Sequence, residues 1–295
     1  MRRTVKNNIA GYVFLAPIIL GLVIFTVLPF GLSFYYSFSK YNNLTPPEWI
    51  GLENYIKFFS DKTALNAFKV TFLFAIISVA VSMFLSFLLG LLMNVKIRGI
   101  KFFRVLIYTP VIIPGVASAA IWRDMFNPTH VGMINRILSV FGIEAQQWFS
   151  SQSTALGSLI LVGLWGIGGG MLMWIAGFNS IDRSLYEAAD LDGAGRIKKM
   201  TAITLPMMTP VIFYNLVMSV IVSLQAFGTA FLLTGGGPFE STNFIALNIY
   251  RVGIGLLNMG YASAQAWILF AVIITLTIVL FKTGGWVYYG DEKNK

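Results

Sequence analysis

The sequence predicts an all-α membrane protein built on six transmembrane helices, and three observations predict it. Hydrophobic residues make up 57% of the 295-residue chain and charged residues only 11%. With a mean hydropathy of +0.75, a water-soluble fold would have too few polar groups for its surface. The apolar residues are gathered into runs of about twenty or more, the length a helix needs to cross a hydrocarbon core of ~30 Å. The basic residues cluster at alternate ends of those runs, as loops on the cytoplasmic side do under the positive-inside rule.

The first span is predicted over residues 11–38. It follows Arg2 and Arg3 and contains Pro17 and Pro29. Its length exceeds a signal-peptide apolar region and no small-residue cleavage site follows, so it reads as a retained helix. Loop 39–67 carries Pro46 and Pro47, and its second half reads as a short interfacial helix with Tyr55, Phe58 and Phe59 at headgroup depth. The second span, 68–93, places Ser78, Ser82, Ser86 and Gly90 at every fourth position, a small-residue stripe that suits close helix packing. The third, 105–122, is interrupted by Pro110 and Pro114. Such prolines fit a helix lining a cavity or a packing kink equally well. In loop 123–154, Asn127-Pro128 and Gly132 are turn signals.

The fourth span, 155–178, holds Gly163, Gly166, Gly168, Gly169, Gly170 and Gly177. Close packing and a backbone-lined ligand path are both open readings. The fifth span, 207–233, and the sixth, 261–281, flank a loop with Thr234-Gly235-Gly236-Gly237-Pro238. That loop is no phosphate cradle, because it lacks the Gly-Lys-Ser/Thr ending and follows a spanning helix rather than a strand. Residues 1–10 and 282–295 are expected as cytoplasmic tails, and 11–281 as one six-span domain with a cytoplasmic loop at 179–206.

The net charge of +9 reflects topology. Fourteen of the 21 basic residues sit in four segments: Arg2, Arg3 and Lys6; Lys96, Arg98, Lys101 and Arg104; Arg183, Arg196, Lys198 and Lys199; Lys282, Lys293 and Lys295. This distribution implies contact with the lipid bilayer and its anionic headgroups and no nucleic-acid partner, and it places both termini in the cytoplasm. With no cysteine and one histidine, His130, disulfides and Cys/His metal sites are excluded, and no metal site is expected. The span cores hold no Asp, Glu or His. Proton relays and most ion-coupled carriers need such groups at membrane depth. No nucleophile–base set or nucleotide-binding motif is present, so no catalytic residue is assigned and the chain does not read as an enzyme. Energy for uphill movement would have to arrive from another protein, through loop 179–206.

Within that loop Ser184-Leu185-Tyr186-Glu187 fits a capping box, with Ser184 as the cap. Ala188 and Ala189 favour helix, and Gly193 suits a left-handed stop. Residues 196–205 read as a second amphipathic helix, with Ile197, Met200 and Ile203 on one face, and Pro206 opens the fifth span. On residue chemistry alone the loop is equally a surface helix or a docking helix. On the fifth span, Asn215, Ser219, Val222, Ser223 and Ala226 share one face at helical spacing. Trp165, Gly166 and Gly169 on the fourth span make a second candidate wall. Hydroxyls, amides and an aromatic ring without charges suit a neutral polyhydroxyl ligand, and interhelical hydrogen bonding explains the same residues equally well.

Glu187-Ala188-Ala189, then Gly193, then Ile203, Leu205 and Pro206, resembles the signature of the membrane subunits of binding-protein-dependent ABC importers. Gly51-Leu52-Glu53-Asn54-Tyr55, Phe103-Arg104, Pro110, Trp122, Asn127-Pro128, Gly132, Asn135, Leu233 to Pro238 and Ser241-Thr242 resemble the sugar-importer branch. Asp182 stands where that family usually has Pro, and Met200 where it usually has Phe. The resemblance implies a type I ABC importer permease fold, and a permease in the inner or plasma membrane of a prokaryote that takes up a sugar or oligosaccharide. Its implied partners are a second, homologous permease subunit in a heterodimer, two ATPase subunits that bind ATP and Mg, and an extracellular solute-binding protein. It implies an ATPase-coupling role for Glu187, Ala188, Ala189, Asp192 and Gly193, and a cavity-lining role for Asn215, Ser219, Val222, Ser223, Ala226, Trp165, Gly166 and Gly169. No cofactor is implied in this chain itself. Glycerol-phosphate or polyol uptake is the alternative within the branch. An ion-coupled secondary carrier or a non-transporting scaffold is the alternative outside it.

Overall fold

The computed structural model describes residues 12, 14–95 and 97–288. The tail at 1–10, the last seven residues, and the topology residues Arg2, Arg3, Lys6, Lys96, Lys293 and Lys295 lie outside them. The elements in order are α1 (Phe14–Ser37), strands β1 (Ser39–Lys40) and β2 (Glu48–Trp49), α2 (Glu53–Ser60), α3 (Lys62–Met93), α4 (Ile100–Ile112) and α5 (Gly115–Met125). They are followed by α6 (Met133–Val140), α7 (Ala155–Ser180), α8 (Arg183–Leu191), α9 (Arg196–Leu233), α10 (Ile245–Gly255) and α11 (Met259–Lys282). Five helices are long and apolar enough to cross a membrane, and the pair α4–α5 makes a sixth if it is one span. The architecture is the all-α membrane fold of the prediction.

Contacts divide the chain into two units, one formed by residues up to Leu65 with Asn248–Phe270 and the other by Asn66–Leu247 with the residues from Ala271 on. In the first, β1 pairs antiparallel with β2, Ser39 opposite Trp49, a short ribbon that helical periodicity gives no sign of. Buried Asn54 donates from Nδ2 to the carbonyls of Ser37 and Ser39, 3.0 Å each, and so holds α2 against the end of α1. Of the rings expected at headgroup depth only Phe59 is free to meet lipid: Phe58 is 3% exposed and Tyr55 is half-buried, its hydroxyl 2.7 Å from the Ser37 hydroxyl. Asn54 and Tyr55 are on the side of α2 that meets the end of α1, and Phe58 follows Asn54 by four residues on the buried face.

Two spanning helices widen into a π turn shortly before a proline. In α1, Leu28 N–H donates to the Val23 carbonyl across the turn Val23–Val27, and Pro29 follows. In α9, Leu205 N–H donates to the Met200 carbonyl across Met200–Thr204, and Pro206 follows. A proline ring collides with the carbonyl four residues back and donates no hydrogen bond. The extra residue in the preceding turn relieves that collision without ending the helix. Residues 196–205 are therefore no separate amphipathic helix, and Pro206 opens nothing: the helix continues from Arg196 past Pro206 to Leu224, is broken over residues 225–227, and resumes as Gly228–Leu233 within the same span.

The third span does not run straight. Its two halves meet at 98° around Ile113 and Pro114. Ile113 is extended (φ −70°, ψ 127°), the conformation forced on a residue that precedes proline. Pro110 is carried inside α4. Helix α3 is 32 residues long, about 48 Å at 1.5 Å per residue, well beyond a ~30 Å core. Arg104 answers its C-terminal end, donating from Nε and Nη2 to the Met93 carbonyl at 2.9 and 2.7 Å. A cation is favoured at that negative end of the helix dipole.

The second unit packs around two apolar groups. One holds Phe74, Phe126, Leu159, Leu233, Phe244 and Leu247. The other holds Trp174, Phe178, Ile181 and Met208, with Tyr186 and Ile203 against it. Close approach depends on missing side chains. A Cβ on Gly90 would sit 2.5 Å from Trp174 Cβ, and one on Gly168 would overlap the Ile107 carbonyl oxygen. Residues just past α11, expected as the start of a tail, pack on α9: Trp286 meets Phe213 at 6.1 Å between ring centres, and Tyr288 N–H donates to Thr209 Oγ1 at 2.8 Å.

Candidate functional site

The loop after α5 is organised by one side chain. Asn135, 1% exposed, donates from Nδ2 toward the carbonyls of Asn127, Thr129 and Gln146. Its Oδ1 accepts from Gln146 N–H and Trp148 Nε1. Trp148 then packs on Phe126 at 4.6 Å, and Phe126 stacks on Trp122 at 5.1 Å. Trp122 meets Trp165 edge to face at 4.8 Å. This chain of rings sets the position of Trp165, which lies on a short 3₁₀ turn, Trp165–Ile167, within glycine-rich α7.

Trp165 forms part of the wall of a cavity of about 630 Å³. Gly166, Ser219, Val222, Ser223 and Ala226 line it too, joined by Ser78 and Ser82 of α3, Ser118 of α5, and Phe227 and Thr229 of α9. A neighbouring cavity of about 370 Å³ shares Ser82, Gly166, Ser219 and Val222 and adds Asn215. No Asp, Glu, Lys, Arg or His lines either one among the described residues. Ser223 Oγ donates to its own helix at Val220 (3.1 Å), and Asn215 Nδ2 to Val211 (2.8 Å). Among the described residues the hydroxyls of Ser78, Ser118, Ser219 and Thr229 have no protein partner. The arrangement can offer hydrogen bonds and ring faces to a neutral polar molecule, and it offers no charge and no metal-binding cluster.

Gly169 stands apart from the other seven cavity candidates. It lines neither cavity, and a Cβ there would face the Val111 methyls of α4 at 3.8 Å. The α3 serines were visible as a stripe, but the stripe divides. Ser78 and Ser82 line the larger cavity, Ser86 lines the smaller one while its hydroxyl accepts from Trp174 Nε1 at 2.9 Å, and Gly90 packs on Trp174. Ser118 and Thr229 carried no signal beyond being hydroxyls on a spanning segment.

Helix α8 presents the other candidate residues. Its cap is Asp182, whose Oδ1 accepts from Ser184 N–H at 2.9 Å. This corrects the capping-box expectation: Ser184 is already inside the helix. The hydrogen bond from the Ser184 backbone holds the Asp182 carboxyl below the usual carboxylate range. The C-terminal end is a Schellman stop. Ala194 N–H donates to Ala189 at 2.8 Å, Gly193 N–H to Asp190 at 3.1 Å, and Gly193 takes φ +70°. Tyr186 fastens the helix inward, its hydroxyl 2.8 Å from Thr204 Oγ1, and an Asp190–Lys199 ion pair ties it to α9. Glu187, Ala188, Asp192 and Gly193 are exposed, and Ala189 is half-buried. Leu191 (91% exposed) and Ile197 (81%) add apolar surface beside them.

A family model described as "Binding-protein-dependent transport system inner membrane component" matches residues 82–284, which include the bend, both cavity walls and α8. The chain belongs to this family. As a permease of this kind it has full-length relatives. "Probable ABC transporter permease protein YesP" of Bacillus subtilis (strain 168) is 38% identical over 294 residues, covering 98% of this chain and 94% of that protein. "Trehalose/maltose transport system permease protein MalF" of Thermococcus litoralis is 30% identical over 279 residues, covering 93% of each. A crystal structure of a bacterial alginate ABC transporter, in complex with an alginate pentasaccharide-bound periplasmic protein, contains a chain of the same fold. Its TM-score is 0.85 at 23% identity, over 97% of both chains.

Proposed function

We propose that this permease is one of two different subunits of an ATP-driven importer that carries a neutral sugar or oligosaccharide across the plasma membrane of a prokaryote. The observation that carries the reading is the uncharged, hydroxyl-lined cavity of about 630 Å³ with Trp165 in its wall. Free hydroxyls such as Ser219 exchange hydrogen bonds with a polyol, and an indole face covers the apolar side of a sugar ring. A phosphate ester would leave its charge without a counter-ion against these walls, which favours sugar or neutral polyol over glycerol-phosphate.

The drive comes through α8. Glu187, Ala188, Ala189, Asp192 and Gly193 form the contact with a cytoplasmic ATPase subunit, present in two copies, in which ATP and Mg are bound. The fastening of Tyr186 and Asp190 transmits movement of α8 to α9, which lines the cavity. A homologous permease completes the heterodimer, and a solute-binding protein delivers cargo on the extracellular side. Both termini face the cytoplasm. The basic clusters support that orientation, the name of the MalF relative supports a sugar as cargo, and the periplasmic protein bound to the alginate transporter supports the delivery partner.

The test is reconstitution of the four-part assembly in proteoliposomes, with labelled sugar uptake and ATP hydrolysis measured together. Glu187→Lys is expected to abolish binding-protein-stimulated hydrolysis while the chain still folds and inserts. Ser219→Leu is expected to impair uptake while leaving assembly intact. Stimulated hydrolysis at wild-type rate in Glu187→Lys would refute the coupling role. Uptake of glycerol phosphate in preference to neutral sugars would refute the assigned cargo.

A further inference from the structure

Helix α2 has three distinct faces. Asn54 and Phe58 are buried against protein, Glu53, Lys57 and Ser60 are exposed and polar, and Leu52, Ile56 and Phe59 are exposed and apolar. The last three recur at i, i+4 and i+7, one stripe of a helix. A surface helix bathed in water on all free sides has no use for a stripe that is 60–71% exposed, whereas one lying in a membrane interface has an apolar and a polar free side.

The ends of α2 set its depth. Tyr55 and Asn54 bind Ser37, the last residue of the spanning helix α1. At the other end Asp61 follows Ser60 directly. Its Oδ1 accepts from Thr63 and Ala64 N–H at 2.9 and 3.2 Å, capping the long helix α3. Fixed to the last residue of one span and the first turn of the next, α2 lies at the level where the spans leave the hydrocarbon. The rings around it are those that gather at such a level. Trp49 stacks on Phe38 at 5.3 Å and packs on Tyr35 at 5.8 Å, and Tyr36 stacks on Tyr41 at 4.3 Å. On the polar side, Lys57 Nζ lies 4.5 Å from the ring centre of Tyr261.

We propose that α2 is an interfacial anchor whose Leu52–Ile56–Phe59 stripe enters the acyl region of the bilayer, while Glu53, Lys57 and Ser60 face water. The occupant of the stripe is lipid, because both flanking elements are membrane spans and α1 itself leaves its apolar length exposed. The anchor holds the end of α1 and the start of α3 at constant depth whatever the cargo.

The chain has no native cysteine, so single cysteines at positions 52, 53, 56, 57 and 59 can each carry a nitroxide label. The full chain, with the subunits that accompany it, is reconstituted in vesicles of phosphatidylethanolamine and phosphatidylglycerol. Collision rates are then measured with oxygen, which concentrates in lipid, and with a nickel chelate, which stays in water. The expected result is an oxygen-to-nickel ratio several-fold higher at 52, 56 and 59 than at 53 and 57. Strong nickel collision at 56 and 59 would place the stripe in water and overturn the proposal. Immobile labels reached by neither reagent would overturn it too, by showing that a protein surface covers the stripe. Because three positions report on the stripe independently, the loss of one variant leaves the outcome readable.

Discussion

Three glycines in one turn of α7 should respond to the same substitution in three different ways. At Gly168 an added Cβ overlaps the Ile107 carbonyl oxygen and lies 2.9 Å from its carbonyl carbon and 3.1 Å from Tyr108 Cα, all backbone atoms of α4. Backbone cannot rotate aside, so α4 and α7 must separate. Overpacking of this kind costs ~1–3 kcal/mol and occasionally more, which for a unit of this size lowers a melting midpoint by roughly 2–12 °C. At Gly169 the Cβ meets only the Val111 methyls, at 3.8 Å. Gly169→Ala should therefore hold or raise stability, because alanine is favoured over glycine in a helix by ~0.5–1 kcal/mol. At Gly166 nothing lies within 4 Å and the new methyl enters the cavity, so stability should hold while sugar uptake changes. The assay is thermal melting of detergent-purified protein by size exclusion, paired with uptake in proteoliposomes. Wild-type melting for Gly168→Ala, or the same loss in all three variants, would refute the close backbone contact and with it the placement of the α4 wall.

Other positions give sharp expectations. Gly193→Ala places a side chain at φ +70° with no steric neighbour, so its cost is the left-handed backbone alone, ~1–2 kcal/mol; amide exchange should rise in the last turn of α8, and Gly193→Asn should be milder. Asp182, held below its ordinary value by the Ser184 backbone hydrogen bond, stabilises α8 only while ionised. Its contribution is full above the ordinary carboxylate value and is lost as pH falls through the depressed one, so protection of the Ser184 amide should fall in that acid window and be absent at all pH in Asp182→Ala. Asn135→Leu removes the partner of the half-buried Trp148 Nε1 and Gln146 N–H, at ~1 kcal/mol for each hydrogen bond lost. Proteolysis within 127–148 should accelerate in that variant while α8 stays intact.

The spans were legible because the length and continuity of apolar runs are what a bilayer selects. Pro110 and Pro114 marked the third span as interrupted, but not that α4 carries Pro110 and breaks only at Ile113–Pro114. The cap of α8 was not legible. Ser184 and Glu187 spell a capping box, but Asp182, two residues upstream, offers an acceptor that reaches the Ser184 N–H and fixes the helix start one residue earlier than Ser184. This also supplies a physical reason for an aspartate where the family usually carries proline: either residue starts a helix, one by capping it and the other by presetting φ. The π turns before Pro29 and Pro206 were hidden, since a sequence shows the proline but not whether the helix will stop or widen.

The cavity exposes the deeper limit. Helical period assigns a residue to a face, and the Ser219 face of α9 was found that way. Period says nothing of where along its length that face meets a neighbour. On α3 the single stripe Ser78–Ser82–Ser86–Gly90 is cavity wall at one end and packing surface at the other. The switch is made by α7, not by α3: Trp174 closes on Gly90 and takes up the Ser86 hydroxyl at the floor of the smaller cavity, while the 3₁₀ turn at Trp165–Ile167 and the side-chain-free Gly166 leave room beside Ser82. The 98° bend of the third span opens the far side. The cavity thus arises from helix irregularities on two neighbours acting on a regular stripe, so substitutions that straighten those irregularities should close it without touching any residue that lines it with a hydroxyl.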